Sequence, residues 1–279
     1  MIRAIIQGAE GQDVFGGNFV LKTNYHTHSI FCDGKDTPEE MVIAAIEKGF
    51  SVLGFSGHGY MPYCTYCMSK EGTEQYVGEI NRLKAAYRDK IKVLCGIEAD
   101  IRTEFEREKF DYVIGSVHDV ETGGVLYPVD SSPEHFKRAI QAFDGDVYAL
   151  IENYYERVKG VIKVTGADII GHFDLVTKFN ENGEYFSVED ERYTRPMLSA
   201  LDALIEEKIP FEINTGAMAR GWRSAPYPAL PIIERIFERG GRFVLTSDCH
   251  DKTKLDFGFD YVKNMPIYER LKERIVYIK

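Results

Sequence analysis

No run of apolar residues in this 279-residue sequence is long enough to cross a bilayer, and its N-terminus carries no secretory pattern. Both absences point to a cytoplasmic protein without a membrane partner. Basic charge is scarce: 34 Lys and Arg stand against 44 Asp and Glu, a net charge of −10. This balance argues against a nucleic-acid groove, which needs a basic stripe, so no nucleic-acid partner is expected. A small phosphorylated substrate is not excluded, because bound cations would reverse the local field. Cysteines number five, an odd count without framework spacing, and read as reduced thiols. Cys64-Thr65-Tyr66-Cys67 is a lone CxxC with no second pair, too isolated to indicate a redox or zinc site. No linker, repeat or low-complexity tract divides the chain. Residues 1–279 are therefore expected to form one domain, with 1–18 as a Gly-rich lead-in that has room for a short strand. The oligomeric state is left open, a homo-oligomer included.

What is present alternates. Strand patterns at Phe19–Tyr25, Ser51–Ser56, Ile91–Ile97, Tyr112–Val117, Asp168–Gly171, Phe211–Ile213 and Arg242–Thr246 are separated by helical ones. The helices are expected at Pro38–Lys48, Thr73–Asp89, Ser132–Phe143, Val147–Val164, Val188–Lys208 and Ala229–Arg239, with Thr37 as an N-cap and Pro196 as a kink or break. Glu104–Lys109 reads as a short helix, and the C-terminus adds a helix and a strand at Ile275–Ile278. Seven short apolar strands with helical crossovers imply an α/β fold with a parallel sheet. Closure into a distorted seven-stranded (β/α) barrel, similar to a TIM barrel, follows from the chemistry at the strand ends.

Six of seven histidines lie where a strand runs out, and acids join them. The stations are His26-Thr27-His28 with Asp33, then His58, Glu98, His118, His172 and Asp248-Cys249-His250. His26 and His28 point to one face of an extended chain, as do Asp248 and His250. Each station alone has a plain structural explanation: a turn acid for Asp33, a structural ring for His58, a salt bridge for Glu98. Together they are nine nitrogen and oxygen donors of the kind that bind zinc, iron or manganese. Only a closed barrel brings all of these strand ends to one rim. Nine donors exceed the needs of one ion and suggest a cluster of two or three, suited to phosphate-ester hydrolysis. His135 falls on a helix and reads as a surface residue. Lys178, Arg220 and Arg223 follow strand ends and are candidates to hold phosphate, with Arg195 as a fourth. The stretch Asn214–Pro228 carries no helix or strand pattern, as a substrate loop would not. Glu181, Glu184, Glu189 and Asp190 could form an acidic rim for a cationic substrate.

The series His26-Thr27-His28, Asp33, Ser56-Gly57-His58, Gly96-Ile97-Glu98, Gly115-Ser116-Val117-His118, Gly171-His172-Phe173-Asp174 and Ser247-Asp248-Cys249-His250 resembles the polymerase-and-histidinol-phosphatase (PHP) superfamily over residues 20–260. Glu212-Ile213-Asn214-Thr215-Gly216, Arg220 and Pro226-Tyr227-Pro228 resemble its histidinol-phosphatase branch. The resemblance implies a distorted seven-stranded barrel holding three divalent ions. His26, His28, Glu98 and Asp248 would hold the first, Glu98, His118 and His172 the second, and Asp33, His58 and His250 the third. Many relatives carry histidine where Asp33 stands.

The activity this implies is hydrolysis of a phosphomonoester, L-histidinol phosphate, in histidine biosynthesis by metal-activated hydroxide attack. Asp33, His58 or His250 would assist the leaving group. One rival is a PHP-type phosphodiesterase or nuclease, with Tyr60, Tyr63 and Tyr66 to stack a base. A second is an amidohydrolase-type barrel, but the place of its bridging lysine holds His118. A third is a non-catalytic metal-binding domain.

Overall fold

The computed structural model describes residues 22–278 and, before them, three short strands at Ile5–Gln7, Glu10–Gln12 and Asn18–Val20. The rest of the lead-in lies outside the described residues. Seven parallel strands carry the fold: β1 (Thr23–Asn24), β2 (Val52–Phe55), β3 (Lys92–Ala99), β4 (Tyr112–Gly115), β5 (Ile169–Ile170), β6 (Phe211–Asn214) and β7 (Phe243–Thr246). Each pairs with its neighbour in sequence. Between β7 and β1 the circle is drawn shut just beyond the strand ends. Thr27 and Cys249 form a parallel bridge there, and His28 N–H donates to Cys249 O at 2.9 Å. The α/β barrel expected from the alternating pattern is therefore present, nearly closed and seven-stranded.

The crossovers are α1 (Pro38–Glu47), α2 (Lys70–Ala86), α3 (Pro133–Ala142), α4 (Val147–Thr165), α5 (Glu191–Glu206), the single turn α6 (Gly216–Ala219) and α7 (Leu230–Glu238). Helix α1 begins as its sequence dictates. Thr37 and Glu40 form a reciprocal capping box, and Pro38 occupies the first turn, where no amide proton is needed. Pro196 neither ends nor splits α5. Tyr193, Met197, Ala200, Leu201 and Leu204 of that helix are buried, and the packing outweighs one lost hydrogen bond. Helix α2 starts three residues before the expected Thr73, because Ser69 supplies a cap. Between β3 and β4 the expected helix is only a 3₁₀ turn at Arg107–Lys109.

Alternate residues of each strand face inward. On β3 these are Leu94, Gly96 and Glu98. Leu94 joins Tyr25, Val52, Tyr112, Ile114, Ile169 and Val244 in an interior layer closed by Val276 and Ile278 of the C-terminal strand. That strand pairs with Ile5–Gln7, so the lead-in includes strand. Tyr112 lies against β2 and β3, where a Cβ on Gly54 would stand 2.4 Å from its hydroxyl and one on Gly96 2.2 Å from its ring. The two glycines are required by this close approach. Glu98 lies one inward step beyond Gly96, above the apolar floor.

Three features depart from expectation. A hairpin, Asp119–Thr122 with Val125–Pro128, follows β4 and turns at Gly123-Gly124. Asn214–Pro228 contains the turn α6 and an antiparallel bridge, Asn214 to Tyr227. Cys64 and Cys67 are joined as a disulfide rather than free, while Cys32, Cys95 and Cys249 remain thiols. No helix among the described residues is long and apolar enough to cross a membrane.

Candidate metal centre

All nine donor residues meet at the end of the barrel where the strands terminate. His26 and His28 are fully buried on the extension of β1, and Glu98, 2% exposed, stands between them and the far wall. Glu98 Oε2 lies 3.2 Å from His26 Nε2, 3.6 Å from His28 Nε2 and 2.9 Å from His58 Nδ1. Its other oxygen, Oε1, lies 2.9 Å from His172 Nε2 and 3.4 Å from His118 Nε2. One carboxylate thus faces two groups of imidazoles with separate oxygens. Asp248 Oδ1 completes the first group, 3.8 Å from His26 Nε2 and 3.4 Å from His28 Nε2. On the solvent side Asp33 Oδ1 is 3.8 Å from His58 Nε2, and Asp33 Oδ2 is 3.1 Å from His250 Nε2.

The first group fits a metal ion. Ligand atoms about 2.1 Å from a tetrahedral ion stand about 3.4 Å apart. The four separations between an imidazole nitrogen and a carboxylate oxygen in the group run from 3.2 to 3.8 Å. His26 Nε2, His28 Nε2 and Glu98 Oε2 are buried and have no hydrogen-bond partner. Buried polar atoms are nearly always satisfied, and three converging orphans ask for a shared cation. Clusters capable of ligation also comprise His28, Asp33, His58 and His250, and His58, Glu98 and His118.

Outer side chains orient these donors. Glu212, inward on β6, lies 2.7 Å from His26 Nδ1, which turns Nε2 toward the cluster. The same carboxylate accepts from His172 N–H at 3.0 Å and from Asn214 Nδ2 at 3.1 Å. Asp100 accepts from His118 N–H at 2.8 Å. Asp248 is held at φ +45°, a conformation side-chain-bearing residues seldom adopt, and strain of this kind gathers at functional sites.

Burial opposes every charge here. Even so, Glu212, Glu98 and Asp248 hold the His26 imidazole well above its usual pKa. Against the same burial, His26, His58 and His118 keep Glu98 well below the carboxylate range, and Arg220 and His26 do so for Asp248. His28 falls to about 3 through burial and the adjacent His250 and His58. Without metal, acids and imidazoles share protons that divalent ions would displace.

The cluster forms the floor of a cavity of about 950 Å³. Arg220 lines it, with Nη2 3.1 Å from Asp248 Oδ2 and Nη1 3.2 Å from His250 Nδ1. Lys178 lines it too, with Nζ 2.6 Å from Asp130 O and 3.3 Å from Asp130 Oδ2. Arg223 stands outside the lining. It donates to Thr177 Oγ1 and lies 4.6 Å over the Tyr227 ring. Arg195 is exposed beside Glu152, and His135 sits on α3 beside Ser131. The proposed acidic rim is elsewhere: Glu181 binds Ser224 and Asp190 caps α5. Beyond the donors, the cavity's acids are Asp119 and Asp130, and Tyr63 and Tyr66 line it too. Burial and Asp100 push Asp119 up to about 6, with His118 pulling the other way. Glu212 had a legible signal, an acid two residues from Asn214 on one strand face. Asp119 and Asp130 had none, since the hairpin that presents them is polar and short.

The model of the PHP domain matches residues 24–216. A Deinococcus radiodurans protein named "Probable histidinol-phosphatase" is 32% identical, over 86% of this chain and 91% of its own. The Bacillus subtilis histidinol-phosphatase is 25% identical, over 86% of this chain and 97% of its own. Among solved structures, a Listeria monocytogenes protein shares the fold at a TM-score of 0.76 and 22% identity, covering 86% of this chain and 99% of its own. Histidinol phosphate phosphatase from Lactococcus lactis, solved with zinc, L-histidinol and phosphate, matches at a TM-score of 0.60 and 26% identity over 83% of this chain and 87% of its own. The match covers more than half of the sequence and seven of the nine donors, and the chain belongs to the PHP domain family.

Proposed function

We propose that the protein is a metal-dependent phosphomonoesterase that converts L-histidinol phosphate to L-histidinol and phosphate. The observation that carries this reading is the meeting, at one cavity floor, of nine imidazoles and carboxylates, Glu98 at their centre, with the Arg220 guanidinium beside them. The zinc, L-histidinol and phosphate held by the Lactococcus lactis relative support the same substrate here.

On this reading three divalent ions (zinc, manganese or iron) are held, the first by His26, His28, Glu98 and Asp248, the second by Glu98, His118 and His172, the third by Asp33, His58 and His250. Bound there, such ions act as Lewis acids on phosphoryl oxygens and make water nucleophilic at neutral pH. Glu212 holds the His26 imidazole in orientation, and Asp100 fixes the backbone of His118. Arg220 fixes a non-bridging phosphate oxygen with the N–H groups that Asp248 and His250 leave free, and Lys178 adds positive charge opposite. Water attacks phosphorus in line and the ester P–O bond breaks. His250 and Asp33, 3.1 Å apart on the exposed side with His58 adjoining, would assist the departing alcohol oxygen through the ion they hold, its proton coming from solvent.

The test is phosphate release by the purified protein from L-histidinol phosphate, with a dinucleotide diester assayed in parallel. Turnover of the monoester, lost on chelation and restored by divalent metal, is expected. Metal-replete protein that releases no phosphate, or that cleaves the diester faster, refutes the reading.

A further inference from the structure

One carboxylate on the cavity wall has no partner. Asp119 is 7% exposed, lines the cavity, and its carboxylate makes no hydrogen bond or ion pair among the described residues. Its charged neighbours are turned elsewhere. Asp100 accepts from His118 N–H, and Asp130 holds Lys178. Glu121 Oε2 takes Arg102 at 2.6 Å and Arg157 Nη1 at 3.1 Å, and Arg157, whose Nε and Nη2 make no hydrogen bond, forms no ion pair with Asp119 and acts on it only through space. A buried carboxylate without a cation is costly, and such a group persists where a ligand supplies the missing charge. The position fits a particular cation. Asp119 directly follows His118, at the base of the hairpin where it leaves the donor rim. An amine on the carbon next to an esterified one lies only a few bonds from phosphorus. It must therefore land just beyond the groups that face the phosphate.

We infer that Asp119 receives the ammonium group of the substrate's amino-alcohol tail and so selects cationic phosphomonoesters over uncharged ones. This rests on the phosphatase reading above. In the complex the carboxylate and the ammonium form a desolvated, charge-assisted pair, and the tyrosines that also line the cavity, Tyr63 and Tyr66, are left to the remainder of the tail.

The experiment compares kcat/KM for L-histidinol phosphate with that for its analogue lacking the amine, in the wild type and in Asp119→Asn. The wild type is expected to prefer the amine. The ratio should fall roughly 30-fold in Asp119→Asn, the scale of losing one partner of a buried charge pair, and recover in part in Asp119→Glu. Should the Asn variant be inactive, competitive inhibition by L-histidinol and by its deamino analogue measures the same ratio without turnover. A variant that keeps the full preference overturns the inference and leaves the phosphatase reading intact, as does a wild type that takes both esters equally well. A metal-replete wild type that hydrolyses neither ester overturns that reading, and the inference with it.

Discussion

Glu98 is the residue whose removal tests the site most sharply, because it serves two groups of imidazoles with two oxygens. Glu98→Gln keeps its size and removes its charge. Loss of a side chain that merely orients a ligand weakens metal binding about 10- to 100-fold, so losing a direct anionic donor should cost at least the upper figure. At a zinc concentration 100 times the dissociation constant, binding stabilises the wild type by about 2.7 kcal/mol. If the variant binds 100-fold more weakly, the same concentration equals its constant, and the stabilisation falls to about 0.4 kcal/mol. The difference, about 2.3 kcal/mol, corresponds to roughly 5–9 °C of Tm for a chain of about this size. Metal-free Tm should move much less, since His26 and His118, whose pKa values Glu98 raises, give up protons when the neighbouring charge is lost. The assay is thermal unfolding with and without zinc, together with elemental analysis of bound metal and phosphate release. A Glu98→Gln protein that keeps the wild-type zinc-dependent rise in Tm and the same bound zinc refutes the bridging role.

Other perturbations separate the remaining roles. Glu212→Gln should weaken zinc binding about 10- to 100-fold by releasing His26, read from a titration isotherm; unchanged affinity would show that this carboxylate does not orient the ring. Arg220→Ala should raise the inhibition constant of inorganic phosphate by about tenfold to 100-fold, the value of a charge-assisted contact. Arg223→Ala should lower Tm while moving that constant far less, because its guanidinium lies over Tyr227 outside the cavity; a larger effect from Arg223 would reverse the assignment. Asp256 carries a pH signature. Although burial opposes it, Lys22 and Lys48, 2.7 and 2.8 Å away, hold its carboxyl below the usual range. Its stabilisation is complete above the unfolded value, about 3.9, and is lost as pH falls through the lower folded value. Asp256→Asn should therefore cost about 0.5–1 kcal/mol at pH 7 and progressively less below pH 4 in urea unfolding; a constant penalty would dismiss the ion pair.

The elements legible beforehand were those with strong local signals. Thr37, Pro38 and Glu40 mark the start of α1 by short-range capping alone, and the apolar runs of β2, β3 and β7 are recognisable without their neighbours. The hairpin after β4 escaped because its strands are four residues long and mixed in polarity, leaving only Gly123-Gly124 as a signal. Pro196 misled because helix propensity is local and the packing of α5 is not. Arg223 and Arg220 look alike in sequence, three residues apart on one loop, and the turn at α6 sends one to the rim and the other behind it.

By itself the sequence determined which groups could bind metal and that each would stand at a strand end. The imidazole and carboxylate types are intrinsic, and the strand pattern that positions them is set within a few residues. Only the tertiary structure decided that Glu98 faces two clusters, that Glu212 backs His26, and that Asp119, among the acids lining the cavity, makes no ion pair. Those facts are distances between residues far apart in the chain, and they exist only once seven strands have closed around an apolar floor.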